Sequence, residues 1–347
     1  MDYEKFSNWF NVFFQKIKAR SLATDFYLSF SQSDSMKGLL ILLIIWAHND
    51  YLVPTQGPLQ KYIYLFHVST FFILPFLYQP RQVQVKNLKK TIIRCYLPFF
   101  ITLFWAVLLF RSLSGWRDFS WWQLFRSILI PQQFYLKQSC GFYFLWFLPA
   151  YCATILLKYI VQQTPRKYGF HIIVWSMGLF LFLCLMLDNQ IATFLSWDVP
   201  FAISFGIFYC GMGILAKEIL AGLTAYLSGR QMLFFSIIVF IILSMLYLRS
   251  NSNMYFRLFF PISFFLILYS YRHFLSTSQW LVFLGKASLI IYLVHIFFYN
   301  GLKKIMDKFV LNHYLAGIIV YCGTVIFSII FYITLHYFRE KLKPALR

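Results

Sequence analysis

Ten stretches of this chain are apolar over close to the roughly 17 to 25 residues that carry a helix across a hydrocarbon core: 36–53, 61–79, 92–111, 140–161, 170–187, 199–216, 231–249, 255–272, 281–300 and 314–336. No water is present at that depth to satisfy backbone amides, so each stretch must close its own hydrogen bonds as an α-helix. The expected fold class is therefore all-α, a polytopic integral membrane protein with about ten transmembrane helices. Composition agrees, with 60% hydrophobic, 22% aromatic and only 12% charged residues, against about 25% charged in soluble domains. No linker marks a second domain. The expected organisation is a cytoplasmic amino-terminal segment 1–35, a single transmembrane domain 36–336 and a cytoplasmic tail 337–347.

A net charge of +20 invites a nucleic-acid reading. The basic residues, however, lie in short connections between apolar spans, which is the pattern topology imposes. Nucleic acid is therefore not an expected partner, and membrane lipids are. With the amino end inside, 21 of the 31 Lys and Arg residues fall on the cytoplasmic side, which sets both ends of the chain there. The connection holding Arg111, Arg117, Arg126 and Lys137 lies outside against that trend. It also carries Trp121, Trp122, Leu124, Phe125, Ile128 and Leu129, and reads as a short interfacial helix. The first 35 residues lack a compact apolar core followed by a cleavage site, so no cleaved signal peptide is expected. The six cysteines show no C-x-x-C spacing and read as small packing residues, with no metal expected.

Within this frame the first span is unusual, because ionisable groups bracket its apolar run: Asp34 and Lys37 before it, His48 near its end. On a helix, eleven residues bring Lys37 and His48 to one face about 16 Å apart, with Asp34 beside Lys37. Ionisable side chains in apolar segments are costly to bury and mark functional sites by default. The alternative for His48 is a packed histidine sealed by Asn49 or Asp50. The topology places His67, six residues into a descending span, and His295, nine residues beyond Lys286 in a rising one, at the depth of His48. Three histidines thus share the outer half of the membrane.

These residues, in this order, resemble the integral-membrane acyltransferase family 3, whose bacterial members O-acetylate surface glycans. The family places a basic residue, ten residues and a histidine in its first span, filled here by Lys37 and His48, with Lys where Arg is commoner. The Asp34-x-x-Lys37-Gly38 form resembles the fucose O-acetylase branch. Phe66-His67 before Phe71-Phe72-Ile73, Arg94 four residues before Pro98, Trp146-Phe147-Leu148-Pro149-Ala150, and Leu284-Gly285-Lys286-Ala287-Ser288-Leu289 ahead of Tyr292-Leu293-Val294-His295 continue the match over most of the chain. The hydrolase-like domain of longer members has no counterpart, so the chain is expected to act alone or with a partner.

The resemblance implies acetyl-coenzyme A as cytoplasmic donor and, as acceptor, a hydroxyl on a surface glycan or lipid-linked sugar beyond a bacterial inner membrane. An extended pantetheine arm spans on the order of 15 Å, close to the Lys37 to His48 rise. His48 becomes the general base or a transient acyl carrier, and Lys37 and Arg94 the cations for the donor phosphates. For Lys86, Lys89 and Lys90, ordinary topology charge is the simpler reading. His67 could orient His48 or bind the acceptor, or be a structural histidine bonded to a backbone carbonyl; the same pair of readings applies to His295. Trp146 is a sugar-stacking platform or an interfacial anchor, and Arg257 meets an anionic glycan or snorkels. His171, His273, His313 and His336 are assigned nothing. A transporter or flippase is the rival class, although no internal repeat or paired broken spans support it, and a scaffold without chemistry leaves the Asp34, Lys37, His48 line unexplained. The charge distribution yields a direct test of orientation: a fluorescent protein joined to either end should fold and fluoresce in the cytoplasm, and a reporter that requires export should be inactive at either end and active when placed in the connection between 111 and 139.

Overall fold

The computed structural model describes residues 23–55, 57–79, 85–114, 120–129, 131, 133–163, 201–249, 256–309 and 312–342, with Val12, Gln15, Lys16, Ala19 and Arg20 ahead of them. Every regular element among the described residues is helical: α1 Phe30–Ala47, α2 Pro58–Tyr64, α3 Ser69–Ile73, α4 Val85–Ser114, α5 Trp121–Leu129, α6 Gln133–Cys140, α7 Phe147–Gln163, α8 Phe201–Tyr226, α9 Gly229–Arg249, α10 Phe256–Ser270, α11 Arg272–Thr277, α12 Gln279–Met306 and α13 His313–Leu342. Single 3₁₀ turns occupy Thr24–Phe26, Leu74–Leu77 and Tyr143–Trp146. Among the described residues, six stretches are long and apolar enough to cross a membrane: Leu88–Leu109, Phe144–Gln162, Gly206–Tyr226, Gly229–Arg249, Gln279–Met306 and His313–Lys341, with the shorter apolar Leu258–Ser270 in addition. The span expected at 170–187 lies outside the described residues. The chain is an all-α, multi-pass membrane protein.

Both of the first two expected spans change in detail. The first span, expected over 36–53, is a helix over 30–47. It starts early because Ser29 and Gln32 form a reciprocal capping box, Gln32 N–H donating to Ser29 Oγ at 3.2 Å and Ser29 N–H to Gln32 Oε1 at 3.0 Å. It ends at His48 because Asn49 Oδ1 then accepts the backbone N–H of Tyr51, at 3.1 Å, in place of a helical carbonyl. The second span, expected continuous over 61–79, is interrupted at 65–68, so that α2 and α3 are separate short helices and a 3₁₀ turn containing Pro75 completes it.

The chain divides into two compact units, Met1–Tyr78 with Glu218–Arg347, and Gln79–Lys217. In the first, α1 is apolar on all sides from Gly38 onward and largely buried, with Met36, Leu40, Ile41, Ile44 and Ile45 at its centre. It packs along α12, and α12 packs on α13. Glycine sets the α1 to α12 distance: a methyl group at Gly38 would overlap the carbonyl of Leu281, and one at Gly285 the carbonyl of Asp34. Helix pairs in a membrane gain from such close approach, because lipid offers no hydrophobic drive to bring apolar faces together. A second core, around Phe66, Phe256 and Phe260 with Phe240 and Phe264 against it, joins α9 and α10 to the turn after α2. Tyr62 and Ser244 share a 2.7 Å hydrogen bond at its edge. The outward faces of α9 and α13 carry Phe234, Ile241, Ile242, Leu248, Ile318, Ile326 and Ile330 in the open, as lipid-facing helices should.

In the second unit α4 packs on α7, where the buried thiols of Cys95 and Cys152 meet. The connection expected to hold one interfacial helix holds two, α5 and α6, joined by a 2.8 Å Ser127 to Ser139 hydrogen bond. Trp121, Trp122, Phe125 and Leu129 of α5 remain exposed. Replacement of Gly285 by Leu should cost roughly 3 kcal/mol or more through overpacking against the Asp34 carbonyl, and the measurement is the monodisperse fraction and melting temperature of the detergent-extracted protein.

Candidate functional site

The paired helices α1 and α12, with the turn after α2, bring His48, His295 and His67 into one cluster. His48 sits at the C-cap of α1, where its backbone N–H still reaches the Ile44 carbonyl at 3.1 Å. Its ring lies edge-on to that of His295, with centroids 5.2 Å apart. Tyr64 stands between His48 and His67, its ring centroid 5.7 Å from the first and 4.8 Å from the second. His67 and His295 are fully buried, and His48 retains 9% of its surface.

Each imidazole meets a backbone carbonyl of its own turn through Nδ1: His48 with Ile44, His67 with Ile63 and His295 with Tyr292, all at 2.7 Å. A carbonyl oxygen only accepts, so the proton in each bond belongs to Nδ1 and the lone pair to Nε2. The same bond fixes ring orientation. His67 Nε2 is buried and makes no hydrogen bond. The cluster therefore presents basic Nε2 atoms whose tautomer is set locally, and only His48 among the three keeps access to the surface.

At the other end of α1, Lys37 Nζ donates to Asp34 Oδ1 at 3.0 Å and lies 5.7 Å from the centroid of the Tyr78 ring. The Tyr78 hydroxyl is 2.8 Å from Ser33 Oγ. The ammonium gives one of its three donors to Asp34 and also interacts with Tyr78. The helix places Lys37 and His48 on one face, about 16 Å apart along the axis.

Arg94 and Trp146 belong to the second unit. Arg94 is exposed on α4, as are Lys89 and Lys90, while the Lys86 side chain lies outside the described residues. Trp146 closes a 3₁₀ turn, half-buried, with its ring centroid 6.4 Å from that of Phe147. The side chain of Arg257 and the whole of His171 lie outside the described residues. His273 is exposed and within 3.2 Å of Gln32 through Nδ1, and His313 packs edge-on to Tyr51 at 5.1 Å.

Asn49 and Asp50, named from sequence only as residues that could seal His48, have partners on other helices, and Tyr51, Tyr299, Lys303 and Asp307 were not singled out by sequence. Asn49 is buried, donates through Nδ2 to the Gly317 carbonyl of α13 at 2.8 Å, and so ties the end of α1 to a third helix. Asp50 receives Lys303 Nζ at 2.8 Å and the Thr55 hydroxyl, and its backbone N–H donates to the Tyr299 hydroxyl at 2.9 Å. The Tyr51 hydroxyl donates to Asp307. His295, Tyr299 and Lys303 recur every four residues, which is a legible helix-face signal. Their partners near Asp50 are more than 240 residues away in sequence, and that pairing is not legible.

This arrangement defines a class, a multi-pass helical membrane protein with a buried imidazole cluster one helix length from a cation. A family model described as an acyltransferase domain matches residues 30–334. The chain belongs to that family, the acyltransferase family 3, and is an acyltransferase. Neither a curated protein nor a solved structure matches it.

Proposed function

We propose that the chain transfers an acetyl group from cytoplasmic acetyl-coenzyme A to a hydroxyl of an extracytoplasmic glycan, such as a capsule, O-antigen, exopolysaccharide or lipid-linked sugar, within the fucose O-acetylase branch of the family. It does so as a protein of the bacterial inner membrane with ten passes and both ends in the cytoplasm. The observation that carries this reading is the separation along α1, with a paired cation at one end and a basic imidazole nitrogen at the other, about 16 Å apart. That length suits a pantetheine arm with its phosphates at Lys37 and its thioester at His48. Arg94 carries a donor-phosphate role as the family resemblance implies, and Trp146 offers a sugar-stacking surface, both within the second unit.

At the thioester, His48 Nε2 takes the proton of the acceptor hydroxyl while the oxygen forms its bond to the carbonyl carbon. The carbon–sulfur bond then breaks and the proton passes to the departing sulfur, leaving ester and thiol. In the variant with a covalent carrier, Nε2 first takes the acetyl group and expels the thiolate; the hydroxyl then attacks that carbonyl, the carbon–nitrogen bond breaks to return the lone pair to Nε2, and the hydroxyl proton passes to the thiolate. Both routes require the Nδ1–H to Ile44 bond, which holds the lone pair on Nε2. His67 and His295, both fully buried, support the ring environment of His48.

His48→Ala should insert and accumulate like the parent yet reduce glycan acetylation by roughly 100-fold or more, read as loss of the acetyl mass increment; normal acetylation in that variant sinks the assignment. Lys37→Arg should keep activity, whereas Lys37→Ala should raise the donor concentration for half-maximal rate by about tenfold, one lost charge-assisted contact.

A further inference from the structure

Once α1 ends, the chain from His48 to Val53 must find partners for its amide groups outside the helix ladder. Most find them locally. His48 N–H donates to Ile44, Asn49 N–H to Trp46, Tyr51 N–H to the Asn49 side chain, and Val53 N–H to the Asn49 carbonyl. Asp50 is the exception, because its N–H donates across to the Tyr299 hydroxyl of α12, a buried tyrosine. Its carboxylate meets Lys303 of the same helix at 2.8 Å and the Thr55 hydroxyl. Three successive turns of α12 therefore hold one short turn of chain: His295 against the His48 ring, Tyr299 on the Asp50 amide and Lys303 on the Asp50 carboxylate.

We propose that Tyr299, Asp50 and Lys303 form a latch that positions His48, fixing the C-terminal turn of α1 against α12 so that its imidazole keeps its place beside His295. The latch rests on the role proposed above for His48 as regards turnover, but its effect on the ring itself stands apart from it. The backbone of a residue just past a helix end is free to fray, and His48 is at that position. Sliding or rotation of α1 on α12 breaks all three contacts together. Tyr299, Asp50 and Lys303 are positioning residues, acting through His48 without touching the reacting atoms.

The test compares the parent with Tyr299→Phe, Lys303→Met and Lys303→Arg, each purified as a monodisperse full chain. The first readout is the rate at which diethylpyrocarbonate modifies His48, followed by peptide mass spectrometry with exposed His273 as internal control. The second is glycan acetylation in cells. Tyr299→Phe and Lys303→Met should each raise the His48 modification rate relative to His273 by about threefold or more and lower acetylation by about tenfold, the loss of one hydrogen bond or ion pair. Lys303→Arg should restore both. A role confined to stability would lower yield or melting temperature and leave the His48 to His273 ratio at the parental value. That ratio, unchanged in Tyr299→Phe and Lys303→Met, overturns the latch. If Lys303→Met fails to fold, Tyr299→Phe, which keeps the ring and removes only the acceptor oxygen, decides alone. If His48→Ala keeps acetylating, the reaction assigned to His48 falls and the modification ratio still decides the latch.

Discussion

The backbone contact between α1 and α12 is the constraint on which the first unit depends. Gly38 meets the Leu281 carbonyl and Gly285 meets the carbonyl of Asp34, so the two helices lie closer than any side chain beyond hydrogen allows. Within lipid, close packing and interhelical polar contacts replace the hydrophobic drive available in water. From this crossing near the Lys37 end, the helices run side by side in the same direction. His48 reaches His295 three turns on, and Asp50 reaches Tyr299 and Lys303 beyond it. A change at the glycine crossing would move every one of these contacts.

Polar groups in this unit are handled by distance from the ends. At the Lys37 end, Asp34, Lys37, Tyr78 and Ser33 satisfy one another. At the other end, Asn49 and Asp50 tie α1 to α13 and α12. Between them lie the histidines, each spending Nδ1 on a carbonyl of its own turn. That local bond lets an imidazole enter a buried position without a distant partner. An unsatisfied buried polar group costs about 1–3 kcal/mol, and the unbonded Nε2 of His67 is such a group.

Membrane character, helical class and the Asp34, Lys37, His48 line were all legible, because apolar run length and the 3.6-residue period act within one segment. Depth arithmetic from the topology was enough to put His48, His67 and His295 in one layer. The interruption at 65–68 was hidden, since an apolar run with a broken helix looks in sequence like one without. The start of α1 at Phe30 was legible in principle from Ser29 and Gln32, a capping box whose signal the apolar run that follows it overshadowed.

By itself the sequence determined that the chain crosses a membrane as helices, and that a basic residue and a histidine share one face of the first. Both follow from local periodicity and from the cost of burying charge. Only the tertiary structure decided which histidines touch, that Tyr64 stands between two of them, and that Asp50 reaches Tyr299 and Lys303. The contacts of His48 with His295 and of Asp50 with Tyr299 and Lys303 join segments more than 240 residues apart, and they depend on a helix-to-helix distance that two glycines set, which no single segment carries.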